Sequence, residues 1–233
     1  MAVVTKKADV AIAVPHWHAH AQETQKFGTV IANIPHPLSA GVRAEMVGKL
    51  NRLLADSSTL RDMYKKHHWQ VSGPTFYQLH LLFDKHYAEQ VEIIDTIAER
   101  IQLLGGVSVA MPADVAEMTS IPEVPKDREP APVQISRMLE AHKLIMKLSS
   151  EIAAAASKAG DDGTNDMVVG DVLRPNELQS WFLSEHLVFD SGQGLSERSL
   201  SATAQPLKTA GLSIFNRVVS RRPHPNPSRI HLQ

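Results

Sequence analysis

The stretch TFYQLHLLFDKHYAEQVEIIDTIAERIQLLGG, residues 75–106, decides the fold. Leu79, Phe83, Tyr87, Val91, Ile94, Ala98 and Ile101 recur at the period of an α-helix with one apolar face. Gly73-Pro74 breaks the chain before it, Thr75 stands where a cap belongs, and Gly105-Gly106 stop it. The spacing therefore predicts a helix over 75–104.

Working outward, a second helical pattern precedes this one. Val42, Met46, Leu50, Leu53, Leu60 and Tyr64 mark a helix from Ser39, its cap, to about His68. Downstream, Pro112, Pro122, Pro125 and Pro130 break residues 107–131 and leave room only for a short helix near Ala113–Met118. Ile135, Leu139, His142, Met146, Leu148 and the Ala153–Ala156 run predict a helix over 132–159, ended by Asp161-Asp162-Gly163. Met167, Val168, Val172, Leu178, Trp181 and Phe182 predict one more over 164–188, with Thr164 as its cap. Pro175 lies inside it and clashes with the carbonyl of Asp171, so a kink is expected there. The fold expected is all-α: a ferritin-like four-helix bundle over 39–190, with a short helix in the long connection between the second and third long helices. Residues 1–38 lack sustained periodicity and read as a tail. Residues 191–233, rich in Ser, Gly, Pro and Arg, read as another.

Charge divides along the same lines. The whole chain is at −1, but residues 191–233 carry +5, residues 1–38 carry +1, and the body between them carries −7. An acidic body with a basic tail makes that tail the natural candidate for DNA. The tail also contains Phe215 and Val218-Val219, which suit docking on a neighbouring subunit. The chain has no cysteine, which excludes disulfides and thiolate metal sites and leaves His, Asp and Glu as ligands. The longest early apolar run, Val10–Val14, ends at Pro15 and is too short for a signal-peptide core. A soluble cytoplasmic protein with no membrane partner is the expectation.

The polar face of the 75–104 helix carries the chemistry. Taking His80 as zero, Asp84, Asp95 and Glu99 fall at about 40°, 60° and 100° around the axis, so all four share one stripe. His80/Asp84 and Asp95/Glu99 are each spaced so that two side chains can converge on one ion. Asp84 and Asp95 are roughly 16 Å apart along the axis, far beyond one ion's reach of about 2 Å. A single copy cannot join the two pairs on one metal. Two antiparallel copies about a two-fold axis can, and they create two identical sites. The chain also has no Glu-x-x-His, the motif with which other ferritin-like proteins build a diiron site inside one bundle.

The run Tyr64-Lys65-Lys66-His67-His68-Trp69-Gln70-Val71-Ser72-Gly73, followed by Phe76-Tyr77-Gln78-Leu79-His80, Phe83-Asp84 and Asp95, Ala98-Glu99-Arg100, resembles the signature of the Dps family. The resemblance spans about 39–190, and the spacings from His68 to Glu99 match without a gap. It implies a dodecameric homo-oligomeric shell with ferroxidase sites at its two-fold interfaces. His68, His80 and Asp84 of one subunit would then hold iron together with Asp95 and Glu99 of its neighbour. It further implies Fe(II) oxidation, preferentially with hydrogen peroxide, storage of ferric mineral in the cavity, and in some members protection of DNA. Carboxylates with imidazole suit iron as it rises to Fe(III). Trp69 is placed to quench stray oxidising equivalents or simply to pack, and His67 reads as a surface neighbour of the ligands.

Three other features stand apart from that centre. His16, His18 and His20 alternate in the N-terminal tail and form a candidate second metal site. Asp161, Asp162, Asp166 and Asp171 crowd the start of the last helix, either as capping residues or, by resemblance, as the lining of a three-fold pore that admits iron. The basic tail fits a rival reading, a non-catalytic nucleoid-compacting protein. Such a protein has no need of two His/carboxylate pairs in register. A monomeric ligand-binding bundle leaves their separation unexplained.

Overall fold

The computed structural model describes residues 23–188, all within the first of two compact units, Met1–Val188. His16, His18, His20 and the basic segment 191–233 lie outside the described residues. Helix α1 runs Ala40–Gln70, α2 Phe76–Leu103, the short α3 Pro112–Met118, and α4 Ala131–Ala159. The last arm is composite: α5 (Asp162–Met167), a π-helical segment (Val168–Leu173) and α6 (Arg174–Glu185). The described residues contain no strand.

Ser39 caps α1 as its position suggests, its hydroxyl accepting from the N–H of Val42 at 3.3 Å. Thr75 occupies the cap position of α2 without making that bond. Helix α2 ends on Gly105, whose φ of 78° only glycine adopts without strain. The N–H groups of Gly105 and Gly106 there close on the carbonyls of Gln102 and Ile101. Gly160 ends α4 in the same way, one residue ahead of the Asp161-Asp162-Gly163 stop read from sequence. Asp161, not Thr164, caps α5, accepting from the N–H of Thr164 at 3.0 Å.

Pro175 disturbs the last arm through a widened turn. The N–H of Arg174 reaches back five residues to the carbonyl of Val169. This π segment absorbs the bond that Pro175 cannot donate and the room its ring needs.

The core is built from Met46, Leu50, Leu53 and Leu60 of α1, Leu79, Phe83, Ile93, Ile97 and Ile101 of α2, Ile135, Met138, Ile145 and Ile152 of α4, and Val168, Val172 and Leu183 of the last arm. Two pins hold the long connection down. Buried Asp56 accepts from Thr119 and Ser120, and Asn51 bonds the backbone of Val107 and Val109. Residues 23–38, expected as tail, fold back onto the end of α2. The Ile31 N–H meets the Gly105 carbonyl at 2.9 Å, and the buried Arg43 guanidinium gathers the carbonyls of Ile31, Ala32 and Leu104.

The buried faces differ in rotation from the sequence expectation. Val91 on α2 and Leu178, Trp181 and Phe182 on α6 are exposed, while His86, Gln90, Asn176 and Gln179 are buried. The period is helical as read, but polar residues occupy part of the core stripe.

Candidate metal centre

His68 closes α1 and His80 opens α2, and the tight 71–75 connection lays their rings against each other, centroids 3.8 Å apart and 19° from parallel. Each ring is tied to the other's backbone. Nδ1–H of His68 donates to the carbonyl of His80 at 2.8 Å, and Nδ1–H of His80 donates to the carbonyl of His68 at 2.9 Å. A carbonyl only accepts, so both Nδ1 atoms carry a proton, and in the neutral tautomer this fixes, each Nε2 is the lone-pair nitrogen. This fixed tautomer is what a metal-ligating imidazole needs.

Asp84 lies one turn beyond His80 on α2, its Oδ1 3.9 Å from Nδ1 of His68. Lys65 donates to the same oxygen at 2.6 Å, and that hydrogen bond holds the Asp84 carboxyl below its ordinary range. Lys65 was not singled out from sequence. Its place on α1 one turn before Trp69, facing α2, is the signal that could have found it.

Asp95 and Glu99 are exposed at the far end of α2. One subunit therefore stacks His68 on His80 with Asp84 one turn further along α2, and leaves Asp95 and Glu99 apart from them. Among the described residues no three His, Asp or Glu side chains converge as a metal cluster. The His80–Asp84 and Asp95–Glu99 pairs lie symmetrically about the midpoint between Glu89 and Gln90. Between them the same stripe exposes Leu81, Ala88 and Val91, flanked by exposed Trp69 and Tyr77. Trp69 is 68% exposed in the single subunit, so the described residues cover only a minor part of it.

His67 corrects the sequence expectation of a surface neighbour: it is fully buried, and burial pushes its pKa down to about 4. Among the acidic residues at the start of the last arm, Asp162, Asp166 and Asp171 are exposed. Asp161 is buried, its carboxylate bonded to Arg100 at 2.6 Å and to the Thr164 N–H and hydroxyl. Those partners give Asp161 a structural task. Asp161→Ala is expected to cost about 3 kcal/mol by leaving Arg100 uncompensated and α5 uncapped. Thermal unfolding followed by circular dichroism measures it, and a shift no larger than that of an exposed Asp166→Ala control would contradict this role.

Residues 47–190 match the family described as Ferritin: Ferritin-like domain. The bundle is thus that of a ferritin-like protein. The solved structure of DpsC from Streptomyces coelicolor is 51% identical, covering 72% of this chain and 98% of that one, with a TM-score of 0.71. Among curated relatives, the Nutrient stress-induced DNA-binding protein of Nostoc sp. is 33% identical over 72% of this chain and 90% of its own length. DNA protection during starvation protein 2 of Bacillus anthracis is 30% identical over 61% and 97%. The chain belongs to the Dps family.

Proposed function

We propose that this protein oxidises Fe(II) with hydrogen peroxide at ferroxidase sites shared between antiparallel subunits, and stores the ferric product inside a dodecameric shell in the cytoplasm. Iron here is substrate and cargo. The symmetric placing of the two pairs on α2 carries the reading. A second copy packed antiparallel on this stripe would bring His68, His80 and Asp84 against Asp95 and Glu99 of the partner subunit. The same contact would cover the exposed Leu81, Ala88 and Val91. The donor set suits iron: two imidazoles with free Nε2 lone pairs and three carboxylates. Lys65 would neutralise Asp84 until a cation takes its place. Two ferrous ions supply the two electrons that reduce one hydrogen peroxide to water, which avoids releasing hydroxyl radical.

Light scattering is expected to give the mass of a dodecamer, and iron-soaked crystals to show anomalous scattering between His80 of one subunit and Glu99 of another. A stable monomer at working concentration would sink both the shell and the shared site.

DNA binding is supported by the names of the relatives and by the +5 carried on residues 191–233. Multiplied around a shell, that charge would attract phosphate strongly and salt-dependently. Deleting 191–233 is expected to leave iron oxidation intact and to weaken DNA retention by about tenfold or more near physiological salt. Unchanged gel shifts at matched salt would remove the tail from this role. The pairs in register on α2 favour the iron reading over a purely DNA-compacting one. Among the described residues no helix is long and apolar enough to cross a membrane.

A further inference from the structure

The bundle centre holds a polar cluster that the shared iron site does not use. Tyr64 of α1 is fully buried, and its hydroxyl lies 2.5 Å from Nε2 of His142 on α4 and 3.2 Å from Nδ1 of His86 on α2. The amides around it fix every proton. Nδ2 of Asn176 donates to the carbonyl of Val172, so its Oδ1 is an acceptor. Nδ1 of His142, 2.8 Å from that Oδ1, must therefore carry a hydrogen, which leaves its Nε2 as a bare lone pair. The Tyr64 hydroxyl consequently donates to His142, and the remaining contact is Nδ1–H of His86 donating to the phenol oxygen. The His142 imidazole is neutral: burial pushes it down to about 3.

We propose that Tyr64 is a one-electron donor to the shared iron site, its phenolic proton passing to Nε2 of His142 as the electron leaves. This rests on the ferroxidase reading above. Tyr64 stands one helical turn before His68 on α1, about 6 Å along the axis. Its hydroxyl points into the core, away from solvent, at a base already in place. Burial raises the phenol's pKa well above its ordinary value, so phenolate does not form first and proton and electron leave together.

The need arises when a site holds one Fe(II) instead of two. Hydrogen peroxide then takes one electron from Fe(II), which becomes Fe(III), and one from Tyr64, which becomes a neutral phenoxyl radical. The O–O bond breaks, two protons from solvent complete two waters, and the Tyr64 hydroxyl proton becomes the Nε2 proton of a His142 imidazolium. A buried imidazolium is unfavourable. The next Fe(II) therefore returns an electron to the phenoxyl while His142 returns the proton, restoring both groups.

Rapid-freeze electron paramagnetic resonance tests this on the full chain, with one Fe(II) per site and excess hydrogen peroxide. The chain has three tyrosines, Tyr64, Tyr77 and Tyr87. The expected result is a phenoxyl signal that narrows with ring-deuterated tyrosine, survives in the Tyr77→Phe/Tyr87→Phe double variant, and vanishes in Tyr64→Phe. Spin-trapped hydroxyl radical should rise several-fold in Tyr64→Phe. His142→Gln should lower the phenoxyl yield while Tyr64 remains. A signal unaffected by tyrosine deuteration, as an indole radical on Trp69 would be, overturns the proposal. So does loss of the signal in the double variant, a readout that does not depend on Tyr64→Phe assembling. Oxidation of two Fe(II) per site is measured alongside. Its absence in the unaltered protein rejects the ferroxidase reading itself, whereas normal oxidation without a Tyr64-dependent radical rejects only the electron donor.

Discussion

Shells made wholly of His80→Ala or wholly of Glu99→Ala subunits are expected to lose rapid peroxide-driven Fe(II) oxidation by about a hundredfold or more, since even groups supporting a metal ligand are worth 10–100-fold. A shell assembled from both is expected to regain it. The reason is that the proposed site is divided between two subunits. At an interface between the two variants, one site receives both damaged halves and its two-fold mate receives both intact ones. Random mixing in equal amounts makes about half of the interfaces mixed, so about a quarter of all sites should be whole.

Neither substitution should unfold the subunit. His80 is half-buried and Glu99 exposed, and neither truncation leaves a buried polar group unpaired beyond the His68 carbonyl that His80 served. Stopped-flow absorbance of ferric product, with co-assembly verified by mass, gives the readout. Mixed shells as inactive as either parent would rule out an intersubunit site. A site wholly within one chain predicts that outcome, because each subunit would then keep its own defect.

The parts of this molecule legible in sequence are those that depend on near neighbours in the chain. Ser39, Gly105-Gly106 and the period of α2 act within a few residues of themselves, and the helices they predict are present. The relation of His68, His80 and Asp84 also follows from one tight connection. What stayed hidden depends on groups far away in sequence. Nothing local to His86 or Gln90 reveals that Tyr64, Asn176 and Gln179 wait across the bundle to bond them. A search for apolar residues alone therefore rotated the buried face and counted Val91 and Phe182 as core. His67 looked superficial because its neighbours Lys66 and His68 are polar, yet the helix turns it inward against α4. Arg43 drew the 23–38 segment onto the bundle by collecting carbonyls that no periodicity marks. Asp161 read as one of a row of acidic residues until Arg100, on another helix, was placed beside it.

The buried histidines also give the second large effect, a loss of stability on mild acidification. His67, His86 and His142 are held at about 4, about 4 and about 3, all below the ordinary histidine value of 6.5. The unfolded chain therefore binds more protons than the folded one as pH falls below 6.5. Stability is fully present above 6.5 and drains away as pH falls towards 4 and then 3. At pH 5 about three protons should be taken up on unfolding, a slope of roughly 4 kcal/mol per pH unit. Summed over the window, the three sites put on the order of 10 kcal/mol at stake, comparable to the whole stability of a typical domain.

The carboxylates Asp84, Glu89 and Glu129, whose pKa values are lowered, act in the same direction. They do so only as pH falls below their ordinary values near 4, so the interval from 6.5 to 5 belongs to the histidines. Urea unfolding followed by far-ultraviolet circular dichroism, repeated across that interval at fixed protein concentration, reads the slope while holding assembly constant. Replacing His67 with Gln should remove about one proton from it, because Gln cannot take up charge on exposure. A midpoint flat from pH 6.5 to 5 would mean that these three imidazoles are solvated or already charged in the folded protein. In that case the proton held on Tyr64 could not be assigned as donated to a neutral His142 either.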